Sequence, residues 1–190
     1  MLMSNVSLIG WLHTLACTFA LIAGGWNIAT PKGTKLHRRV GWVYVAAMLA
    51  ANISAFGVYH FDIARFRPFT AGPGVFGLFH WEAVTTLVFL LLAVYAAPRQ
   101  NRALWAYTHP LAILATYYML LGGLINELFV RVPVLRAFAQ SHGGVGFGRS
   151  PVIGMTQSAA LLWFLVAIVY FIIKVALYRH GMRRAVSAPA

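Results

Sequence analysis

The chain has 190 residues, of which 61% are hydrophobic and 9% charged. A soluble domain is excluded, because a fold of this size cannot keep so much apolar surface from water. The net charge of +12 does not point to nucleic acid, since the cations lie between apolar runs instead of along one face; they read as topology determinants and contacts to lipid phosphate.

Taken in chain order, the N-terminal "MLMSNVSLIGW" lacks a basic stretch and reads as the start of a retained helix, not a cleaved signal. Five apolar segments are long enough to cross roughly 30 Å of hydrocarbon at about 1.5 Å per residue. They lie near Leu8–Asn27, Arg39–Tyr59, Val75–Ala97, Thr108–Leu128 and Val152–Leu177. The clusters "TPKGTK", "RFRPFTAGPG", "APRQNR" and "SHGGVGFGRSP" separate them. The expectation is an all-α integral membrane protein: one transmembrane domain over 1–190, made of a four-helix bundle plus a fifth helix.

Cys17 is the single cysteine, so no intrachain disulfide forms. Pro110 is expected in the first turn of the fourth helix, where its missing N–H costs nothing, with Thr108 and His109 at the helix entrance. The alternative starts that helix near Leu104 and kinks it at Pro110. Within the long connection 129–151, "VPVLRAFAQ" is expected as a short amphipathic helix on the membrane surface. The glycines that follow, Gly143, Gly144, Gly146 and Gly148, lack the Lys-Ser/Thr of a phosphate loop and read as linker.

Lysine and arginine placement sets the orientation. Lys32, Lys35, Arg38, Arg39, Arg99, Arg102, Lys174, Arg179, Arg183 and Arg184 fall on one side, and Arg65, Arg67, Arg131, Arg136 and Arg149 on the other. The richer side is expected in the cytoplasm, which puts the N-terminus outside and the C-terminus inside. The acids Asp62, Glu82 and Glu127 then lie on the outer side. Trp11, Trp26, Trp42, Trp81 and Trp105 fall near helix ends as an aromatic belt, and Trp163 does not.

Four histidines stand out against this topology. His13 and His80 lie early in the first and third helices, both near the outer face. His37 and His109 lie at the starts of the second and fourth, both near the inner face. Members of each pair come from helices that are diagonal in an up-down bundle. A haem iron with two axial imidazoles needs one histidine from each side of the macrocycle at equal depth. The pairs therefore predict two b-type haems, or one, with irons roughly 15–20 Å apart along the normal if both are present. Small residues at helical spacing from His13 (Ala16, Cys17, Ala20, Gly24) and Gly41 beyond His37 would let a macrocycle approach, although ordinary helix packing uses the same residues. Lys35, Arg38 and Arg39 would hold haem propionates, although a positive-inside bias also accounts for them. His60, His142 and His180 read as solvated.

The stretch from His13 to Ala55, followed by helices opening on His80 and His109, resembles a family of uncharacterised bacterial multi-pass membrane proteins classed as a domain of unknown function. The resemblance covers about residues 10–130. Its most specific part is the "LHRxxGxxY" element, which runs here from Leu36 through His37, Arg38 and Gly41 to Tyr44. It implies a bacterial cytoplasmic membrane and no established activity. In plan, the four histidines are similar to those of transmembrane di-haem cytochromes b, which implies transmembrane electron transport. The chain departs from that plan in having five spans instead of six.

Two other classes compete: a metal-dependent enzyme, and a sensor or assembly factor with a polar outer pocket and no haem. His13, His80, Glu82 and Glu127 could offer zinc ligands on the outer side, but His80 and Glu82 lie about 200° apart on one helix. Asn126, Glu127 and Glu82, with Tyr117, Tyr118 and Tyr59, are the pocket candidates; Glu127 also has Arg131 as an i+4 partner. No residue is assigned a catalytic role. Membrane lipids, a quinone or another small redox carrier, and a second copy of the chain are the expected partners; nucleic acid is not.

Overall fold

The computed structural model describes residues 7–58, 78–99, 103–144 and 150–187. Six helices appear, and no strand occurs among the described residues: α1 (Leu8–Ala29), α2 (Lys35–Val58), α3 (Leu78–Ala96), α4 (Ala103–Arg131), α5 (Pro133–Ser141) and α6 (Pro151–Ser187), with a 3-10 turn at Ala97–Arg99. Four of them, α1, α2, α4 and α6, together with the segment Phe79–Arg99, are long and apolar enough to cross a membrane. The protein is an all-α integral membrane protein. Tyr59, His60, Asp62, Arg65, Arg67, Arg102, Gly146, Gly148, Arg149 and the expected helix start at Val75 lie outside the described residues. The chain forms two compact units divided between Leu90 and Leu91, within α3.

In the first unit, α1 opens on Ser7, whose Oγ accepts from the Gly10 amide at 3.2 Å. It closes on a lysine: Lys32 Nζ donates to the carbonyls of Ile28 at 2.8 Å, Thr30 at 3.0 Å and Asn27. These include carbonyls that the helix end leaves without an amide, and a cation there also opposes the negative end of the helix dipole. Desolvation draws the Lys32 ammonium below the ordinary lysine pKa. Gly33 makes the turn at φ 79°, a conformation that costs least without a Cβ. Thr34 Oγ1 then accepts from the His37 amide at 3.0 Å. This cap starts α2 at Lys35, one turn before the expected Arg39. Hydropathy marks where the apolar run begins, but the helix begins where its first amides find an acceptor, and Lys and Arg are good helix formers.

The two helices run antiparallel at close range. A Cβ on Gly41 would lie 3.1 Å from Asn27 Nδ2, and one on Gly57 would lie 3.2 Å from Ile9 Cγ2. Between those ends the buried faces are Ala16, Ala20, Ala23 and Gly24 on α1, and Tyr44, Met48, Ala51 and Ala55 on α2. Small residues let the backbones approach, and Tyr44 and Met48 fill the remaining space. In lipid such packing replaces the hydrophobic effect as the force between helices. The start of α3 contributes a buried stripe at three- and four-residue spacing: His80, Ala83, Thr86 and Leu90.

In the second unit, Pro110 stands inside α4. The helix therefore starts at Ala103, five residues before the expected Thr108, and the alternative start near Leu104 is the one that holds. Proline leaves the Ala106 carbonyl without its helical donor and crowds it, a defect that transmembrane helices tolerate because other groups satisfy the freed carbonyl. His109 consequently lies about two turns inside the helix, not at its entrance.

Tyr118 of α4 stacks on Phe164 of α6 at 4.7 Å. Above that contact Ile153 is wholly buried, while Trp163 in mid-α6 is 74% exposed, as a side chain facing lipid would be. At 37 residues α6 reaches well past the expected Leu177; its length of about 55 Å exceeds the hydrocarbon, so it tilts or continues outside. The expected amphipathic segment is helical as α5, with Pro133 in its first turn, Ala139 buried, and Val134 and Phe138 exposed.

Replacing Gly41 by valine is expected to destabilise the α1–α2 contact by roughly 1–3 kcal/mol. Gly123→Ala fills open space, since nothing lies within 4 Å of a Cβ there, and is expected to gain up to about 1 kcal/mol from helix propensity. Thermal unfolding of the two variants in detergent measures both.

Candidate functional site

His13 leaves α1 toward α2. Its Nδ1 lies 2.9 Å from the Ala51 carbonyl and 3.1 Å from Ser54 Oγ. A carbonyl oxygen only accepts, so Nδ1 carries a proton. On the other side of the ring, Cys17 Sγ lies 3.6 Å from Nε2. Ser54 Oγ donates to the Ala50 carbonyl at 2.7 Å, which turns an oxygen lone pair toward His13. The serine is held by its own helix, because mid-helix hydroxyls commonly bond back to the carbonyl four residues earlier.

His80, near the start of α3, is 2% exposed. Its ring lies 5.6 Å from that of Phe56 at 50°. His13 and His80 thus meet the same short stretch of α2, residues 51–56. At about 100° per residue Phe56 projects from a different side of α2 than Ala51 and Ser54, so the two histidines reach one level of α2 from different directions. The small residues that follow His13 do not line a space beside it. Ala16, Ala20 and Gly24 are buried in the face that packs on α2, and of the two readings of that stripe, helix packing is the one observed.

His109 repeats the bonding of His13 within the second unit. Its Nδ1 lies 2.9 Å from the carbonyl of Ala93, in the last turn of α3. The longer α4 makes this possible: a histidine at the helix entrance would lie beyond Ala93, whereas two turns inside it can reach back to it. His37 is half-buried in the first turn of α2, and Lys35, Arg38 and Arg39 around it are exposed. His37 belongs to the first unit and His109 to the second.

The "LHRxxGxxY" element has a structural account. Gly41 admits Asn27 of α1, and Tyr44 is 1% exposed in the α1–α2 contact. Two of its residues therefore serve the hairpin, while His37, Arg38 and Arg39 lie where the helix leaves the apolar layer.

Glu82 is in the first unit, and Asn126 and Glu127 are in the second. Glu127 forms an ion pair with Arg131 one turn on, its side chain 35% and that of Arg131 64% exposed. Asn126 is 6% exposed, and its Oδ1 has no hydrogen-bond partner among the described residues. No three His, Cys, Asp or Glu side chains come together to hold a metal ion among the described residues.

Ala51, Ser54 and Ala93 were not legible as site residues. Two act through a backbone carbonyl, which has no sequence signature. Ser54 leaves a faint one, a hydroxyl inside an apolar helix, which hydrogen-bonds across helices often enough to be worth following. Comparison with protein-family models, curated proteins and solved structures gave no match.

Exposure of the Glu127–Arg131 pair predicts that Glu127→Gln changes stability by less than about 0.5 kcal/mol, measured by thermal unfolding in detergent. A loss of several kcal/mol would mean that the carboxylate serves a buried network.

Proposed function

We propose that this protein is a b-type haem membrane protein that relays electrons across a bacterial cytoplasmic membrane. The reading is supported above all by the state of two imidazoles. His13 and His109 each commit Nδ1–H to a backbone carbonyl at 2.9 Å, so Nε2 is the nitrogen a metal would take, at His13 by displacing the Cys17 thiol 3.6 Å away. Histidines bound to metals are held in just this way, their second nitrogen donating to a carbonyl or carboxylate.

On this reading His13 and His80 would hold the haem in the first unit. When bound, the haem supplies a one-electron carrier at that depth. The chain's part is to present the two nitrogens, to hold His13 on α2, and to exclude water with the apolar faces of α1 and α2. Lys35, Arg38 and Arg39 offer cations to propionates or lipid phosphates where α2 leaves the hydrocarbon. His37 and His109 are paired by their depth in the sequence, and a second haem rests on that alone. A quinone or another small redox carrier fits as the partner.

A structural reading has one observation in its favour: the His13 bond to Ala51 also fastens α1 to α2. Colour separates the two. Protein purified from membranes is expected to show a Soret band that sharpens on dithionite reduction. His13→Ala and His80→Ala should remove the same spectral component, and His37→Ala and His109→Ala a second one if two haems are bound. A colourless wild-type protein whose His13→Ala variant loses only stability would establish the structural reading instead. The lysine and arginine distribution further predicts that a C-terminal fluorescent-protein fusion is bright and a C-terminal alkaline phosphatase fusion inactive; the reverse pattern would invert the topology.

A further inference from the structure

We propose that the outward face of α2 at its start, where Lys35, Arg38 and Arg39 stand above Trp42, binds the headgroup of an anionic phospholipid, whether or not a haem is bound. Helical geometry puts these four residues together. At about 100° per residue they fall within an arc of roughly 100°, and all four are exposed. Tyr44, Met48, Ala51 and Ala55, the buried residues that meet α1, fall on the opposite side. His37 falls on the α1 side as well, so the cations and the imidazole do not share a face. A positive-inside bias would be met by cations anywhere on this side of the membrane and does not gather them on one face.

No anion of the described chain lies beside these charges. Lys32, close to them in sequence, is taken by the carbonyls that close α1. Lys35, Arg38 and Arg39 have no side-chain hydrogen bond or ion pair among the described residues. Of the described acids, Glu127 pairs with Arg131 in the second unit. Glu82 follows His80, whose ring lies on Phe56, and Phe56 is about 30 Å along α2 from Lys35. The positive end of the α2 dipole lies among the same cations, so the negative group comes from outside the chain.

Depth identifies that group. Gly41 meets Asn27 across the hairpin, where a Cβ would lie 3.1 Å from Asn27 Nδ2. Their sequence neighbours Trp42 and Trp26, 64% and 55% exposed, therefore share a level, and exposed indoles settle at the headgroup boundary of a bilayer. Arg39, Arg38 and Lys35 lie one to two turns further out, roughly 5–10 Å, which is the phosphate layer. In the other direction the same face continues as Ala46 and Ala50, both exposed, whose short side chains leave a course for an acyl chain. A soluble anion would use the cations alone, whereas a phospholipid uses the cations, the indole and the alanines.

Native mass spectrometry of the full chain in detergent tests this, with dioleoylphosphatidylglycerol, dioleoylphosphatidylcholine and inorganic phosphate as probes. The wild type is expected to bind the anionic lipid at least about tenfold more tightly than the zwitterionic one. A cation near anionic lipid is worth about fivefold in affinity, so Lys35→Gln should weaken phosphatidylglycerol binding by about fivefold and Arg38→Gln/Arg39→Gln by roughly thirtyfold. The control, Arg99→Gln/Lys174→Gln, loses the same net charge from cations that already have partners, Arg99 over the Tyr95 ring at 3.6 Å and Lys174 over the Tyr170 ring at 5.6 Å. It should keep the wild-type affinity, and millimolar inorganic phosphate should not displace the lipid. Equal affinity for the two lipids overturns the proposal. So does a loss in the control as large as that in Arg38→Gln/Arg39→Gln, which would make the effect one of net charge. Displacement by phosphate overturns it too, because the site would then serve a soluble anion.

Discussion

Hydrocarbon offers no hydrogen bonds, so each polar group carried into it must find a partner within the chain. Backbone amides solve this by forming helices. Side chains solve it by reaching carbonyls: Thr14 to Gly10, Thr18 to Thr14, Asn52 to Met48 and Thr86 to Glu82, each within its own helix. His13 and His109 are different. Their bonds cross to another helix, so each satisfies a polar ring and joins two helices at once. The candidate site is made of these crossings.

The α1–α2 hairpin shows how local chemistry serves that geometry. A serine cap opens α1, and a lysine closure, a left-handed glycine and a threonine cap end it and start α2 within a short turn. Gly41 and Gly57 then permit the approach that brings Ala51 and Ser54 to His13. A side chain at either glycine would crowd the α1 side chain facing it, Asn27 or Ile9, and the histidine bond lies close to the Ile9–Gly57 end of the hairpin. The second unit reaches a similar bond differently, through a helix that continues past a proline and reaches back to the end of α3.

Where the site and the scaffold compete for the same residues, the scaffold takes the small ones. Ala16, Ala20 and Gly24 fit a macrocycle and a helix backbone equally well by size, and the backbone of α2 is what they meet. Glu127 is likewise occupied by Arg131. The imidazole of His13 is held on both edges, by the Ala51 carbonyl at Nδ1 and by the Cys17 thiol 3.6 Å from Nε2.

The five spans and the short helix after Arg131 were legible because hydropathy and amphipathic period are properties of the chain taken locally. Several helix starts were legible to within about a turn, whereas α6 runs well past the expected Leu177. Hydropathy reports where a segment enters hydrocarbon, while Thr34 and Pro110 act through hydrogen bonds that begin a helix earlier or let it continue. Which nitrogen of His13 holds its proton was outside the reach of the sequence. That depends on a carbonyl 38 positions away, and every residue carries a carbonyl, so only the meeting of α1 with α2 could decide it.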